Sequence, residues 1–328
     1  MNTHDMRILQ IVSPGRAQWR NAPIPRPQPQ EVLIRVEGIT TCPQWDLHIM
    51  DGEPMFPGFV MSYPYHLGQP GHEAAGEVVE LGSEVKNLKV GARVAAWRDA
   101  GPARQGCYAQ FAALPAENVM PIPEELQIAA IAPLELAMCV QVSFDQLAHL
   151  EGVAGKRVGI AGLGPGGLIA VQMARAYGAR EVIGIDPLPE RRALAERLGA
   201  DLTFTPDDAA LPADRKSPAA LDTALDTTGL KVSIEALMAR TQKTVAIFGV
   251  LREDVNFGAS HWYGGFSLLG YGAHNRAAAD RALQLVLQNK LRLAALLSRK
   301  MPLRSYAEGV ARLRDKKAIK ILFDPWTE

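Results

Sequence analysis

A glycine-rich segment at 158–167 has the residue types and spacing that bind a pyrophosphate. Three glycines follow the pattern Gly-x-Gly-x-x-Gly, and a proline and a fourth glycine fill the positions between the second and the third. The first glycine permits a tight turn, the second lets a phosphate approach the backbone, and the third lets a helix pack closely on a strand. The positive end of that helix then faces the phosphates. The candidate cofactor-binding residues of this turn are Gly162, Gly164, Pro165, Gly166 and Gly167.

An acidic residue lies at the distance from this turn where a ribose is usually bound. Asp186 ends the next predicted strand, 22 residues after Gly164, close to the spacing of about 20 expected of a ribose-binding acid. Its carboxylate would accept hydrogen bonds from ribose hydroxyls and repel a 2′-phosphate, which favours NAD over NADP. Arg191 is a further candidate for the cofactor site, because its guanidinium could reach a phosphate.

Composition excludes several other classes of protein. The length of 328 residues favours two domains, and 35 basic against 35 acidic residues leave no excess of positive charge for a nucleic acid. Three cysteines cannot form a disulfide framework, which predicts a reducing, cytoplasmic location. The uncharged stretch from Val158 to Ala174 is too short and too rich in glycine to span a membrane. We therefore expect neither a nucleic acid nor a membrane as a partner.

The hydrophobic pattern changes near residue 125. Before it, short β-branched segments alternate with glycine and proline, as in a small β-barrel or sandwich. A helix is predicted at Leu126–Leu150, and strands and helices alternate after it, which predicts an α/β fold with a doubly wound parallel sheet. The predicted strands of that sheet are Arg157–Ala161, Glu181–Asp186, Leu221–Leu225, Thr244–Gly249 and Phe266–Tyr271.

Four further segments carry a resemblance to a known family. Gly71–Val79 contains Gly-His-Glu, Gly91–Val94 reads Gly-x-Arg-Val, and later landmarks stand at Leu225–Gly229 and Pro302–Lys320. Together they resemble the medium-chain dehydrogenase/reductase superfamily, of the zinc alcohol and polyol dehydrogenase type. The resemblance implies a GroES-like β-rich catalytic domain made from both ends of the chain, with a Rossmann domain between them. The implied boundaries are 1–135, 136–273 and 274–328.

The resemblance also implies one catalytic zinc ion. In the family a cysteine, the histidine of the Gly-His-Glu signature and a later cysteine or glutamate hold the metal, and the signature's glutamate can join them. This sequence departs from the family in two places: one extra residue separates Cys42 from Asp46, and Ala132 stands where the later ligand is usual. Glu135 could substitute for that ligand, and Cys139, one helical turn further, is a weaker candidate. The predicted metal ligands are Cys42, His72, Glu73 and Glu135.

The family's second, structural zinc requires four closely spaced cysteines. Between Ala95 and Ala109 this chain has only Cys107. One thiolate cannot complete a closed four-ligand site. The sequence therefore predicts that no structural zinc is bound.

His48 matches the histidine that relays a proton in the family. The pKa of an imidazole suits the transfer of an alcohol proton to solvent. The alternative is that His48 is a surface imidazole with no part in chemistry. Its assignment as the catalytic residue is therefore an expectation drawn from the resemblance.

Three functions remain open at this point. The leading hypothesis is an oxidoreductase that transfers hydride between NAD and an alcohol or carbonyl substrate polarised by zinc. The second is a zinc-independent reductase of the quinone or enoyl type, which the spacing after Cys42 motivates. The third is a nucleotide-binding protein without catalytic activity. By analogy with the family, we expect a homodimer or homotetramer.

Overall fold

The computed structural model describes residues 5–56, 58–97 and 104–327. Its strands are β1 (Asp5–Ser13), β2 (Arg16–Pro23), β3 (Glu31–Thr40), β4 (Glu73–Leu81), β5 (Arg93–Trp97), β6 (Phe111–Pro115), β7 (Val119–Pro121), β8 (Arg157–Ala161), β9 (Glu181–Ile185), β10 (Leu202–Phe204), β11 (Leu221–Asp226), β12 (Thr241–Ile247), β13 (Ser267–Leu269), β14 (Leu297–Pro302) and β15 (Lys320–Asp324). Its α-helices are α1 (Pro43–Asp51), α2 (Ile128–Ile131), α3 (Leu134–His149), α4 (Pro165–Ala176), α5 (Pro189–Leu198), α6 (Lys231–Arg240), α7 (Ala259–Trp262), α8 (Arg276–Leu287) and α9 (Tyr306–Arg314).

The first compact unit contains both ends of the chain, Met1–Glu135 and Leu293–Glu328. Its main sheet has the strand order β14-β15-β3-β4-β5-β7, and β6 pairs with β3, while β1 and β2 form a separate hairpin. Most residues of β3 and β4 are buried, and their apolar side chains lie in one core. The registers pair Thr40 with both Glu73 and Leu322, so the end of β3 lies between the start of β4 and the middle of β15.

The second unit, Leu136–Arg292, contains a parallel sheet of order β10-β9-β8-β11-β12-β13. Almost every residue of β8, β9 and β11 is buried, as expected when helices cover both faces of a sheet. The chain leaves β8 toward β9 on one side and later returns to β11 on the other side. Ligands of such sheets bind at the carboxyl ends of the strands beside this switch point. The glycine-rich turn joins β8 to α4 at that position.

Several elements differ from the sequence prediction. The helix predicted at Leu126–Leu150 is divided into α2 and α3 beside Pro133, because proline interrupts helical hydrogen bonding. The hairpin β1–β2 and helix α1 were not predicted. In β2 every residue is exposed or half-buried, so the strand carries no apolar alternation that could reveal it. The segment Ile128–His149 is long and apolar enough to cross a membrane, but 61% of its most apolar window is buried inside the protein.

The second unit also extends further than the predicted boundary after residue 273. Helix α8 belongs to it, because the guanidinium of Arg281 donates to both carboxylate oxygens of Asp145 on α3. The backbone N–H of Arg292 donates to Oε1 of Gln172 on α4 at 2.8 Å. The second unit therefore ends at Arg292, and the chain re-enters the first unit at Leu293.

Candidate functional site

Cys42 lies immediately before helix α1. Its backbone is extended (φ −103°, ψ 99°), and Pro43 occupies the first turn of the helix, where a missing N–H costs nothing. The N–H of Asp46 donates to the carbonyl oxygen of Cys42 at 2.9 Å. The extra residue between Cys42 and Asp46 is therefore accommodated at the start of the helix.

Three predicted ligands come together in the first unit. The donor atoms of Cys42, His72 and Glu73 all lie within 4.8 Å of one another. Donors that share one zinc ion are about 3.5 Å apart, given bond lengths of roughly 2.0–2.3 Å. The donor atoms of these three residues would therefore need to move about 1 Å closer together to bind one ion. Sulfur, imidazole and carboxylate are the donors that zinc prefers. The residues present therefore fit a zinc ion.

The orientation of His72 leaves one nitrogen for a metal. Its Nδ1 lies 2.7 Å from the carbonyl oxygen of Pro70, and since a carbonyl only accepts, Nδ1 carries a hydrogen. The lone pair of the neutral ring is then on Nε2, which lies 3.9 Å from Oε2 of Glu135. Such a backbone partner fixes the tautomer of many metal-binding histidines. Glu135 is therefore beside the cluster and within reach of the same ion.

The electrostatics of the cluster favour a positive charge at its centre. Burial by itself lowers the pKa of His72, but the hydrogen bond with Cys42 and the charges of Glu135, Cys42 and Glu73 outweigh it and raise this pKa to about 10. Burial raises the pKa of Glu73, and the charge of Lys320 offsets part of that rise. In the absence of a metal, a proton on His72 supplies the positive charge that the surrounding acids stabilise.

Lys320 was not predicted as a site residue, although it contacts the cluster. Its ammonium donates to Oε1 of Glu73 at 2.7 Å and to the carbonyl oxygen of Thr41 at 2.5 Å. Oε2 of Glu73 accepts a hydrogen bond from the hydroxyl of Thr40 at 2.7 Å. A lysine 247 residues further along the chain carries no local signal of this contact. The meeting of β3, β4 and β15 creates it.

Asp46 connects α1 to two distant tyrosines. Its carboxylate accepts hydrogen bonds at 2.8 Å from the hydroxyls of Tyr108 and Tyr306, and all three side chains are buried. Burial raises the pKa of Asp46 to about 6, although the two tyrosines and the charges of His72 and Lys320 lower it. Asp46 therefore fixes the helix that begins beside Cys42.

We expect the buried carboxyl of Asp46 to make folding depend on pH. Its pKa is 3.8 in an unfolded chain and about 6 in the folded one, so its contribution to stability is fully present below pH 4 and is lost as the pH rises through 6. The difference corresponds to about 3 kcal/mol. In the variant Asp46→Asn, this fall in the free energy of unfolding with rising pH should be absent.

Denaturant unfolding of both proteins at several pH values measures the effect. The free energy of unfolding of the original chain, relative to Asp46→Asn, should fall by about 2 kcal/mol between pH 4 and pH 7, and the rest of the change lies outside this range. Asp280→Asn, which alters an exposed carboxylate, serves as the control and should show no such change. A constant difference between the original chain and Asp46→Asn would contradict the assignment.

Among the predicted site residues, His48 is not part of the converging donor set. Nδ1 of His48 lies 3.2 Å from the carbonyl oxygen of Glu53, near the end of α1, and among the described residues the converging donor set contains only Cys42, His72 and Glu73. None of the three cysteines is in a disulfide, and Cys107 and Cys139 are buried. Residues 98–103, where a structural zinc lobe would start, lie outside the described residues.

The glycine-rich turn of the second unit has the geometry expected of a phosphate site. Gly162 adopts φ +84°, which other residues rarely adopt, and Gly164 directly precedes α4. A Cβ atom on Gly167 would lie 1.8 Å from the carbonyl oxygen of Gly162, whereas one on Gly164 would meet only Nη1 of Arg191, at 4.0 Å. The backbone of Gly164 is therefore open to a ligand, and Gly167 serves the packing of helix on strand.

Asp186 and Arg191 lie beside this turn. Asp186 follows β9, is 3% exposed, and accepts the N–H groups of Leu163 at 2.7 Å and Leu188 at 2.9 Å. Nη1 of Arg191 lies 3.7 Å from Oδ2 of Asp186. The structure thus brings the predicted acid, the predicted cation and the glycine turn together.

Thr227 supports the turn, although in the sequence it stood out only as part of a family landmark. Its hydroxyl donates to the carbonyl oxygens of Gly162 at 2.6 Å and Ala161 at 3.0 Å. The preceding Asp226 is buried, and its carboxylate accepts the N–H groups of Thr228 and Gly229. The end of β11 is therefore tied to the turn after β8.

Comparison with known proteins agrees with both halves of this description. The family model of the alcohol dehydrogenase GroES-like domain matches residues 28–124, and that of the zinc-binding dehydrogenases matches residues 165–288. The first contains Cys42, His72 and Glu73, and the second begins at Pro165 in the glycine turn. The two models together match about two thirds of the chain.

Individual relatives extend the comparison. An L-threonine 3-dehydrogenase of Ruegeria pomeroyi is 33% identical over 219 residues, which span 59% of this chain and 60% of that protein. One of Chelativorans sp. strain BNC1 is 28% identical over 98% of this chain and 99% of that protein. A Sinorhizobium meliloti protein solved with NADP has a TM-score of 0.85 at 26% identity, with 98% and 99% coverage. The chain belongs to the medium-chain dehydrogenase/reductase superfamily and is of the zinc-dependent alcohol and polyol dehydrogenase type.

Proposed function

We propose that this protein transfers hydride between a nicotinamide dinucleotide and an alcohol or carbonyl substrate that a zinc ion polarises. The observation that carries the proposal is the convergence of Cys42, His72 and Glu73 within 4.8 Å, with Glu135 next to His72. A zinc ion held there would supply Lewis-acid polarisation of the substrate oxygen. The cofactor would accept hydride from the alcohol carbon while the hydroxyl proton leaves to solvent.

Different residues of the chain would bind the metal, bind the cofactor and transfer the proton. Cys42, His72 and a glutamate, either Glu73 or Glu135, would bind the metal, and the hydrogen bond from His72 to Pro70 would keep Nε2 directed at it. The turn at Gly164 would receive the pyrophosphate on backbone N–H groups at the start of α4. His48 stays a prediction for the proton path, because its recorded contact is with the carbonyl oxygen of Glu53.

We propose NAD as the preferred cofactor. Asp186 would accept ribose hydroxyls and repel a 2′-phosphate, and it neutralises Arg191 at 3.7 Å. In Asp186→Asn the repulsion is lost and Arg191 becomes available to a phosphate. We expect the ratio of kcat/KM with NADP to that with NAD to rise at least about 30-fold, which is roughly 2 kcal/mol. The double variant Asp186→Asn/Arg191→Gln should lose most of this gain, and an unchanged ratio in Asp186→Asn would exclude Asp186 as the discriminating residue.

We expect Thr227 to affect cofactor affinity through the backbone of the turn. Thr227→Val removes the hydroxyl that donates to Gly162 and Ala161, and an unsatisfied buried carbonyl costs about 1–3 kcal/mol. The dissociation constant for reduced cofactor, measured by its fluorescence, should rise about 10-fold. Thr227→Ser keeps the hydroxyl and should bind nearly as the original chain does. Equal affinities in all three proteins would show that the turn does not depend on this residue.

The substrate class can be tested directly with the purified chain. Relatives are named L-threonine 3-dehydrogenase, so a secondary alcohol beside a charged or polar group is the first class to test. A panel of secondary alcohols, polyols, amino alcohols, aldehydes and quinones, followed by cofactor absorbance, distinguishes the candidates. Chelator-sensitive oxidation of an alcohol supports the proposal. Chelator-resistant reduction of quinones alone would favour the zinc-independent reductase.

Location and assembly are further proposals. Three cysteines outside disulfides suit the reducing cytoplasm. An assembly of two or four copies stays a prediction by analogy. The exposed side chains of Trp262 and Tyr263, each 82% accessible near the edge strand β13, are compatible with such a contact.

A further inference from the structure

Lys320 places a positive charge inside the first unit and in contact with the candidate metal cluster. Its ion pair with Glu73 is completely buried, with both side chains 0% exposed. Burial removes two charges from water, and such a pair is often no more stabilising than apolar side chains of similar size. Stability alone therefore does not explain why this position holds a lysine.

Charge balance provides one reason. Three acidic donors surround the proposed zinc position, the thiolate of Cys42 and the carboxylates of Glu73 and Glu135. With a neutral His72, a divalent ion leaves one negative charge uncompensated, and the ammonium of Lys320 cancels it. Inside a protein, where the effective dielectric constant is low, such compensation matters more than at the surface.

The hydrogen bonds of Glu73 provide a second, independent reason. The ammonium of Lys320 donates a hydrogen bond to Oε1 of Glu73 and the hydroxyl of Thr40 donates one to Oε2, each at 2.7 Å. A metal would have to compete with both donors for this carboxylate. Glu135 lies at the start of α3, and its Oε2 is already 3.9 Å from the nitrogen of His72 that would bind the ion.

We propose that Lys320 is a positioning residue that keeps Glu73 out of the metal's ligand set. The ion then takes Cys42, His72 and Glu135, and Glu73 remains paired with the ammonium close to it. Without the ammonium, Glu73 is released and can bind the ion in place of Glu135. This inference rests on the proposed function, because it presupposes a metal in the cluster.

The inference is tested by asking whether metal affinity depends on Glu135 when Lys320 is present and on Glu73 when Lys320 is replaced. Cobalt(II) affinity is measured by competition with a coloured chelator for the original chain and Lys320→Met, each with and without Glu135→Gln. In the original chain, Glu135→Gln should lower the affinity about 100-fold or more. In Lys320→Met the same substitution should lower it less than about 10-fold, because Glu73 takes the vacant position.

A matching pair of variants examines the other glutamate. Glu73→Gln should change the affinity of the original chain less than about 10-fold, but it should cost about 100-fold in the Lys320→Met background. The thiolate-to-cobalt absorption of Cys42 should persist wherever metal is bound, and thermal unfolding shows that each variant is folded. Equal losses for Glu135→Gln in both backgrounds would overturn the inference.

Milder variants keep the test decisive if Lys320→Met does not fold. Lys320→Gln retains a hydrogen-bond donor without the charge, and Thr40→Val removes only the bond to Oε2. In both variants, Glu135→Gln should lower the cobalt affinity less than it does in the original chain, although the difference should be smaller than in Lys320→Met. An unchanged effect of Glu135→Gln in both variants would contradict the inference. If the original chain binds no cobalt at all, the proposed function fails together with it. Cobalt binding without the exchange overturns only the assignment of Lys320.

Discussion

Replacement of Cys42 by serine is expected to abolish metal binding and alcohol oxidation without unfolding the chain. A serine hydroxyl is a poor substitute for a thiolate as a zinc ligand, so the affinity for zinc should fall more than about 100-fold. Lewis-acid polarisation is worth several kcal/mol in the transition state, and kcat/KM should fall about 1000-fold or more. Cys42 is half-buried and precedes α1, and serine is itself a favoured residue at a helix start.

Cys139→Ser is the matched control for this experiment. Cys139 lies on α3, is also not in a disulfide, and is 9% exposed. Metal content by elemental analysis and kcat/KM with the best alcohol of the panel are compared in the three proteins. The assignment of Cys42 requires that zinc and activity be lost only in Cys42→Ser. Retention of one zinc per chain in Cys42→Ser would remove Cys42 from the ligand set.

The second large effect is expected in the glycine turn, where two substitutions should separate binding from folding. In Gly164→Ala the new methyl group would meet no atom closer than Nη1 of Arg191 at 4.0 Å, and φ is −72°, so stability should change by less than about 0.5 kcal/mol. The methyl group would stand where a pyrophosphate approaches the backbone. Affinity for the dinucleotide should fall about 100-fold, which is roughly 3 kcal/mol.

Gly167→Ala should affect folding as well as binding. Its methyl group would lie 1.8 Å from the carbonyl oxygen of Gly162 and 3.1 Å from the hydroxyl of Thr227, so α4 must shift away from β8. The free energy of unfolding should fall by about 3 kcal/mol. Calorimetric titration with the dinucleotide and chemical unfolding measure the two effects. A Gly164→Ala protein that binds the dinucleotide normally would contradict the proposed position of the pyrophosphate.

The fold of the second unit could be read from the sequence because its signals are local. β8, the glycine turn and α4 follow one another within 20 residues, and Asp186 stands at the next strand end. Apolar strands and amphipathic helices of this kind carry their pattern within a few turns of chain. The strands predicted at Arg157–Ala161 and Glu181–Asp186 therefore agree with β8 and β9 almost residue for residue.

The candidate metal centre was only partly predictable, because its geometry depends on contacts between distant segments. The motif around His72 and Glu73 is local, so the sequence contained it. The irregular spacing after Cys42 could be interpreted only once Pro43 was seen to begin α1, with Cys42 outside the helix. Lys320 lies on β15, Tyr306 begins α9 and Tyr108 lies in a loop. No local pattern of residue types predicts their contacts with Glu73 and Asp46.

Measuring zinc content and activity together shows whether a metal held by Cys42, His72 and a glutamate polarises the substrate of a hydride transfer. The chain is purified without added metal, its zinc is measured per polypeptide, and alcohol oxidation is followed before chelation, after chelation and after zinc is restored. We predict about one zinc per chain, loss of activity on its removal and recovery on its return. Full hydride transfer by a chain that contains no zinc would show that no metal held by these residues polarises the substrate.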